Sequence, residues 1–116
     1  MDENFYKGPN APLVGIKGSR SMLQTPALLL ELDVMQLNLQ AMADFARAHE
    51  IKLRPHSKTH KSIHISQRQI DAGAIGICVA TLGEAEVMIK GGISSVLITT
   101  PIVGKNKIER FVRLQK

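Results

Sequence analysis

Two short apolar runs, Ile75-Gly76-Ile77-Cys78-Val79-Ala80 and Val96-Leu97-Ile98-Thr99-Thr100, carry no polar alternation, which is the pattern of strands buried on both faces. The run Ala27-Leu28-Leu29-Leu30-Glu31-Leu32 and the alternating Ile51-Lys52-Leu53-Arg54-Pro55 also predict strands, with Pro55 ending ladder pairing in the second. Between these runs the period lengthens. Met35, Leu39, Met42 and Ala46 repeat at helical spacing, with Asp33 and Gln36 as an expected capping box and an end near His49. A helix is predicted over 63–72, capped by Ser62 and stopped by Gly73. Thr81 and Glu84 form a second capping box for a helix through Ile89, which Gly91-Gly92 ends. Ile108, Phe111, Val112 and Gln115 begin a last helix, expected to continue to the end of the chain. Residues 1–24 hold Gly8, Pro9, Pro12, Gly15 and Gly18 and read as an irregular arm.

Strand, loop, helix, glycine and strand therefore recur. Strands of this kind joined by single helices predict βαβ units in a parallel sheet, hence an α/β fold. Three such strands leave two bare edges. A complete eight-stranded (β/α)8 barrel takes roughly 200 residues or more. Residues 25–116 are accordingly expected to be a partial barrel, truncated after about three strands, and the chain to be the front part of something larger.

Composition narrows the function classes. Hydrophobic residues make up 44% of the 116 and charged residues 22%, which is globular usage. No apolar run approaches the roughly 20 residues of a bilayer span, so no membrane partner is expected. Aromatics, at 3%, are too few for a base-stacking platform, and no nucleic-acid motif accompanies the net charge of +5. The single cysteine, Cys78, cannot form an internal disulfide, and the polar first ten residues lack the apolar core of a secretion signal. Both point to the cytoplasm. The positive charge is localised: 47–68 holds six basic residues against Glu50, and 90–116 holds six against Glu109. A local positive field favours an anionic ligand such as a phosphate ester, although solvated lysines give the same count.

The densest polar cluster is Arg54-Pro55-His56-Ser57-Lys58-Thr59-His60-Lys61, placed directly after a predicted strand. Ligands of parallel α/β folds gather at the carboxyl ends of strands. A lysine partly desolvated there, beside other cations, becomes a nucleophilic amine able to form a Schiff base, and Lys58 is central to the cluster. A Lys/His-rich loop is equally the composition of an ordinary solvated loop. His56, His60 and His64 recur every fourth residue, but that spacing crosses a strand end and a loop, so no metal site is expected from them. Cys78, inside a buried-strand pattern, reads as a core residue. Gly91-Gly92 precedes a strand instead of opening a helix and reads as a stop, not a phosphate cradle.

Three segments carry a resemblance. They are Thr25-Pro26-Ala27-Leu28-Leu29-Leu30-Glu31-Leu32-Asp33 with Asn38; Leu53-Arg54-Pro55-His56-Ser57-Lys58-Thr59-His60-Lys61; and Ala72-Gly73-Ala74 with Ala80-Thr81-Leu82-Gly83-Glu84-Ala85-Glu86. Together, from Thr25 onward, they resemble the D-threonine aldolase family of alanine-racemase-like, fold-type III pyridoxal-phosphate enzymes, a near relative of D-serine dehydratase. The resemblance implies an N-terminal α/β barrel, a β domain later in the family's chain, and the cofactor pyridoxal 5′-phosphate. It implies that Lys58 holds the cofactor as a Schiff base, with His56 and Thr59 as further cofactor-binding residues. It also implies that the strand before Asp33 runs towards the β domain, so that barrel strands begin near Ile51. The family's phosphate-binding loops and the ligands of its assisting divalent metal match nothing in these 116 residues.

The activity implied is a lyase reaction that cleaves the Cα–Cβ bond of a D-3-hydroxy amino acid to glycine and an aldehyde, the cofactor accepting the electrons. Dehydration of the D-serine type and amino-acid racemisation stand beside it, and a non-catalytic cofactor- or anion-binding role is the alternative of another class. The expected partner is a small D-amino acid, with homo-oligomer formation left open. The 116 residues alone are expected to be inactive.

Overall fold

The computed structural model describes residues 8–115. The chain divides into two compact units, Met1–Glu31 and Leu32–Lys116. In the first, two 3-10 turns, Ala11–Leu13 and Ser19–Met22, are cross-tied by side chains. The Asn10 amide donates to the Gln24 carbonyl at 2.9 Å and accepts from the Gln24 N–H at 2.8 Å. The buried Ser19 hydroxyl donates to Leu13 O.

The strand predicted at 27–32 does not form. Residues 27–31 have no regular structure, Leu28 is fully exposed, and Leu29 and Leu30 are more than half exposed. An apolar run becomes a strand only when a second strand offers its N–H and C=O groups, and no ladder reaches these residues.

The second unit opens with α1 (Leu32–Ala48). It starts one residue before the expected cap, so Asp33 lies inside its first turn, where a carboxylate faces the positive end of the helix dipole. Ala43 and Ala46 are its buried residues; Met42, expected on that face, is half exposed. The helix is closed by Glu50 in the left-handed conformation (φ 55°), with Ile51 N–H returning to Ala46 O at 2.9 Å. Then follow α2 (Ile63–Asp71), β1 (Ile77–Val79), α3 (Leu82–Lys90), β2 (Val96–Ile98) and α4 (Lys105–Leu114). Ser62 caps α2 as expected, its hydroxyl accepting from Ile65 N–H. α4 starts earlier than predicted and closes at Leu114, with Gln115 after it; the last residue, Lys116, lies outside the described residues. No helix among the described residues is long and apolar enough to cross a membrane.

β1 and β2 pair in parallel, Ile77 opposite Val96 and Val79 opposite Ile98, with α3 as the crossover. Only one βαβ unit is closed by a regular ladder. Residues 53–56, predicted as a strand, run alongside β1 as an extended segment with a single bridge, His56 to Cys78. Ile75 N–H donates to Leu53 O at 2.9 Å, and Cys78 N–H donates to Pro55 O at 2.7 Å. Proline lacks the N–H that would extend the pairing. β1 is buried as predicted. β2 is not: Val96 and Ile98 pack against the core, while Leu97, on the opposite face of the strand, is half exposed.

The core is Ile77, Val79, Ala85, Met88 and Ile93, with Ile63, Ile70, Val96, Ile98 and Leu114 against it. It therefore welds α2, α3 and α4 to the two strands and fixes where the strands end. A two-point ion pair between Arg110 and Glu86 ties α4 to α3.

Candidate active site

The carboxyl ends of residues 53–56, β1 and β2 lie side by side, because the three segments run parallel. The first leads directly into a 3-10 turn, Ser57–Thr59, which carries Lys58. Its geometry follows from short-range bonds. The His56 ring accepts the Lys58 N–H at Nδ1 (3.2 Å), and His60 N–H and Lys61 N–H both return to Ser57 O, at 3.2 and 2.7 Å. Ser57 is buried, and its hydroxyl donates to Cys78 O of β1 at 3.2 Å. The turn is thus anchored by the residue beside Lys58, while Lys58 itself is exposed. Among the described residues nothing pairs with its amine.

His56 is held from the neighbouring strand end. Its Nε2 lies 3.1 Å from Thr99 Oγ1, and the Thr99 hydroxyl donates to Val79 O at 3.0 Å. With that proton already given to Val79, Thr99 can only accept from His56. The ring proton therefore sits on Nε2, leaving Nδ1 free to accept from Lys58 N–H. Thr100 likewise donates to Ala80 O. Thr99 was not singled out in the sequence, although its position at the carboxyl end of a predicted strand was the available signal.

Arg54, grouped with Lys58 in the sequence, is tied elsewhere. Its guanidinium donates to Ser95 O (3.2 Å) and Ser95 Oγ (3.0 Å), just before β2, at the opposite end of that strand from Thr99. Rise along the chain explains this, since Arg54 lies early in the extended segment and Lys58 on the turn beyond its end. Thr59 is exposed on the turn beside Lys58. Cys78 is half buried between the 53–56 segment and β2. Among the described residues no group of three His, Cys, Asp or Glu is placed to hold a metal ion, so His56, His60 and His64 do not form one.

Lys61 also adopts the left-handed conformation (φ 50°), and its amine lies 3.2 Å from Glu84 Oε1. The other oxygen of Glu84 accepts from Ala80 N–H (2.8 Å) and Thr81 N–H (3.2 Å), while Thr81 Oγ1 accepts from Glu84 N–H. The predicted capping box is formed, and Glu84 also reaches the lysine turn. The Ala80 N–H, with Lys61 and Thr81 adding, holds the Glu84 carboxyl below its ordinary range. Thr81→Ala should cost about 1 kcal/mol in the urea midpoint while leaving Lys58 chemistry intact. Loss of that chemistry at unchanged stability would show that Thr81 touches a ligand.

His60 accepts the Ser62 N–H at Nδ1 (3.0 Å), and its Nε2 is buried without a hydrogen-bond partner. Burial pushes its pKa below the ordinary 6.5, opposed by the nearby Gln69, whose Oε1 is also buried and unbonded. A histidine kept neutral in the fold is disfavoured once the unfolded chain can bind the proton. Stability should hold above pH 6.5 and decline as the pH falls below it. Glu84, whose stabilising effect is lost only below its ordinary 4.5, does not act in that window. Urea midpoints between pH 7.5 and 5.5 check this; a slope undiminished in His60→Gln would rule out His60 as its source.

No family model matches the chain. The 3-hydroxy-D-aspartate aldolase of Paracoccus denitrificans is 40% identical over 97 residues, 83% of this chain and 25% of that enzyme. The D-threo-3-hydroxyaspartate dehydratase of Delftia sp. (strain HT23) is 44% identical over 75 residues, 65% of this chain and 20% of its own. The crystal structure of D-threonine aldolase from Filomicrobium marinum superposes with a TM-score of 0.77 at 47% identity, over 78% of this chain and 25% of that one. The chain thus spans about a quarter of the length of the first of these relatives.

Proposed function

We propose that this chain, by homology a member of the D-threonine aldolase family, supplies the covalent anchor for pyridoxal phosphate in a lyase acting on D-3-hydroxy amino acids. The observation that carries the reading is the placement of Lys58. Its amine is exposed and unpaired among the described residues, on a buried-serine-anchored turn at the carboxyl ends of parallel segments.

The donor set fits that cofactor. Lys58 offers a free primary amine for the aldehyde, in a stretch whose excess of cations suits a phosphate ester. When bound, pyridoxal phosphate supplies the electron sink for breaking a bond at the substrate's Cα. The chain's own residues hold and orient. Ser57 fixes the turn to β1, and Thr99 fixes the ring of His56, which fixes the Lys58 N–H. With both nitrogens engaged, His56 has its ring face left to offer a cofactor. Thr59, exposed beside Lys58, has its hydroxyl to offer.

Two experiments test the reading. Borohydride reduction of the chain with pyridoxal phosphate, followed by peptide mapping, should place the label on Lys58. Product analysis with D-3-hydroxy amino acids, using the longer enzyme into which this segment is grafted, should give glycine and an aldehyde. A 2-oxo acid and ammonia would indicate dehydration, the activity named for the Delftia relative.

A further inference from the structure

We propose that Glu84 is a positioning residue that decides which lysine of the turn takes the cofactor: by holding Lys61 in an ion pair, it leaves Lys58 as the amine that condenses. The inference rests on the reading of Lys58 as the anchor and adds the element that selects it.

The sequence does not separate the two lysines. Lys58 and Lys61 stand three residues apart, and the backbone of Lys61 closes the same turn by donating to Ser57 O. The structure does separate them. Lys61 Nζ is 3.2 Å from Glu84 Oε1, whereas nothing among the described residues pairs with Lys58. Glu84 is well placed for the task. Its side chain is only 17% exposed, against 67% for Lys61. Its second oxygen is fixed by the N–H groups of Ala80 and Thr81 at the start of α3. Those same bonds, that of Ala80 above all, hold its carboxyl below the ordinary range. Lys61 therefore leans on a carboxylate whose direction is set by a helix cap.

The chemistry explains the selection. Condensation needs an amine lone pair. That pair bonds to the aldehyde carbon, both hydrogens of the amine pass in turn to the aldehyde oxygen, and that oxygen leaves as water as the C=N bond forms. An ammonium whose N–H groups are spent on a carboxylate offers no lone pair. Lys58, exposed and without a partner among the described residues, has no carboxylate holding its N–H groups.

The test is the partition of label between the two lysines when the chain is incubated with pyridoxal phosphate, reduced with borohydride, digested and mapped. Hydride from borohydride converts C=N to a secondary amine that survives digestion, so each site is counted directly. In the unmodified chain Lys58 should carry most of the label. Glu84→Gln keeps an oxygen for Ala80 and Thr81, so the cap persists, but removes the charge that holds Lys61. The Lys61-to-Lys58 ratio should rise by roughly three- to fivefold, the size a partly exposed pair sustains. The unmodified chain in about 1 M salt, where screening reaches within a few ångström, should move in the same direction without any substitution. A helix cap with only a structural role would leave the ratio unmoved. Label remaining on Lys58 at an unchanged ratio in salt, whether or not Glu84→Gln folds, overturns the inference and leaves the anchor reading standing. Label falling on Lys52, or chiefly on Lys61, in the unmodified chain overturns both.

Discussion

Replacing Lys58 with alanine should reduce the borohydride-fixed pyridoxal-phosphate adduct by about three- to fivefold while leaving the fold in place. The loss follows from chemistry. The remaining lysine of the turn, Lys61, is committed to Glu84, and no other lysine lies on the 3-10 turn. The preserved fold follows from geometry. The Lys58 side chain is exposed and has no partner among the described residues, and the turn is held by Ser57, His56 and backbone bonds that alanine does not touch. The unfolding free energy from urea titration should change by no more than about 0.5 kcal/mol, the usual scale for surface changes. Mass spectrometry of the reduced, digested protein decides it. Undiminished adduct in Lys58→Ala, now on Lys61 or Lys52, would remove Lys58 from the anchor role.

Gly76→Ala should be among the most damaging single changes in the chain, costing at least about 2 kcal/mol. Gly76 sits at φ 148°, a conformation that side-chain-bearing residues rarely adopt. An added Cβ would stand 2.3 Å from Arg54 Nη1, 2.5 Å from Ser95 O and 2.6 Å from Ser95 Oγ. The methyl group would drive apart the Arg54–Ser95 contact that ties the 53–56 segment to the start of β2. A backbone carbonyl cannot move aside as a flexible side chain can. Gly83→Ala in α3, where nothing lies within 4 Å, is the control; it should be neutral or slightly stabilising, since alanine is the better helix former. Chemical denaturation of both variants makes the comparison, and equal midpoints would show that the close approach at Gly76 relaxes without cost.

Much of the site was legible because its signals are local. The Thr81–Glu84 box needs only a hydroxyl and a carboxylate three residues apart, and the structure forms it. Ser62 caps α2 for the same reason. The buried pattern of Ile77 and Val79 survives because β1 is flanked on both sides. The same rule failed for the leucines at 28–30 and for β2. An apolar run states what a segment could bury, while burial itself depends on what lies across from it. Arg54 and His56 share one polar string, yet they act at opposite ends of β2, because an extended backbone advances about 3.3 Å with each residue and carries the later one past the strand's far end.

The amino-acid sequence by itself determined the caps of α2 and α3, the order of the four helices with β1 and β2, and a lysine placed just after an extended segment in a family-like string. Those depend on residues within one or two turns of each other. Tertiary structure alone decided the partners of that lysine. Thr99 reaches His56 across 43 residues, Ser57 reaches Cys78 across 21, and Glu84 takes Lys61 and leaves Lys58 free. Parallel strands bring distant residues to one edge, and only their register fixes which hydroxyl, carbonyl or carboxylate arrives there.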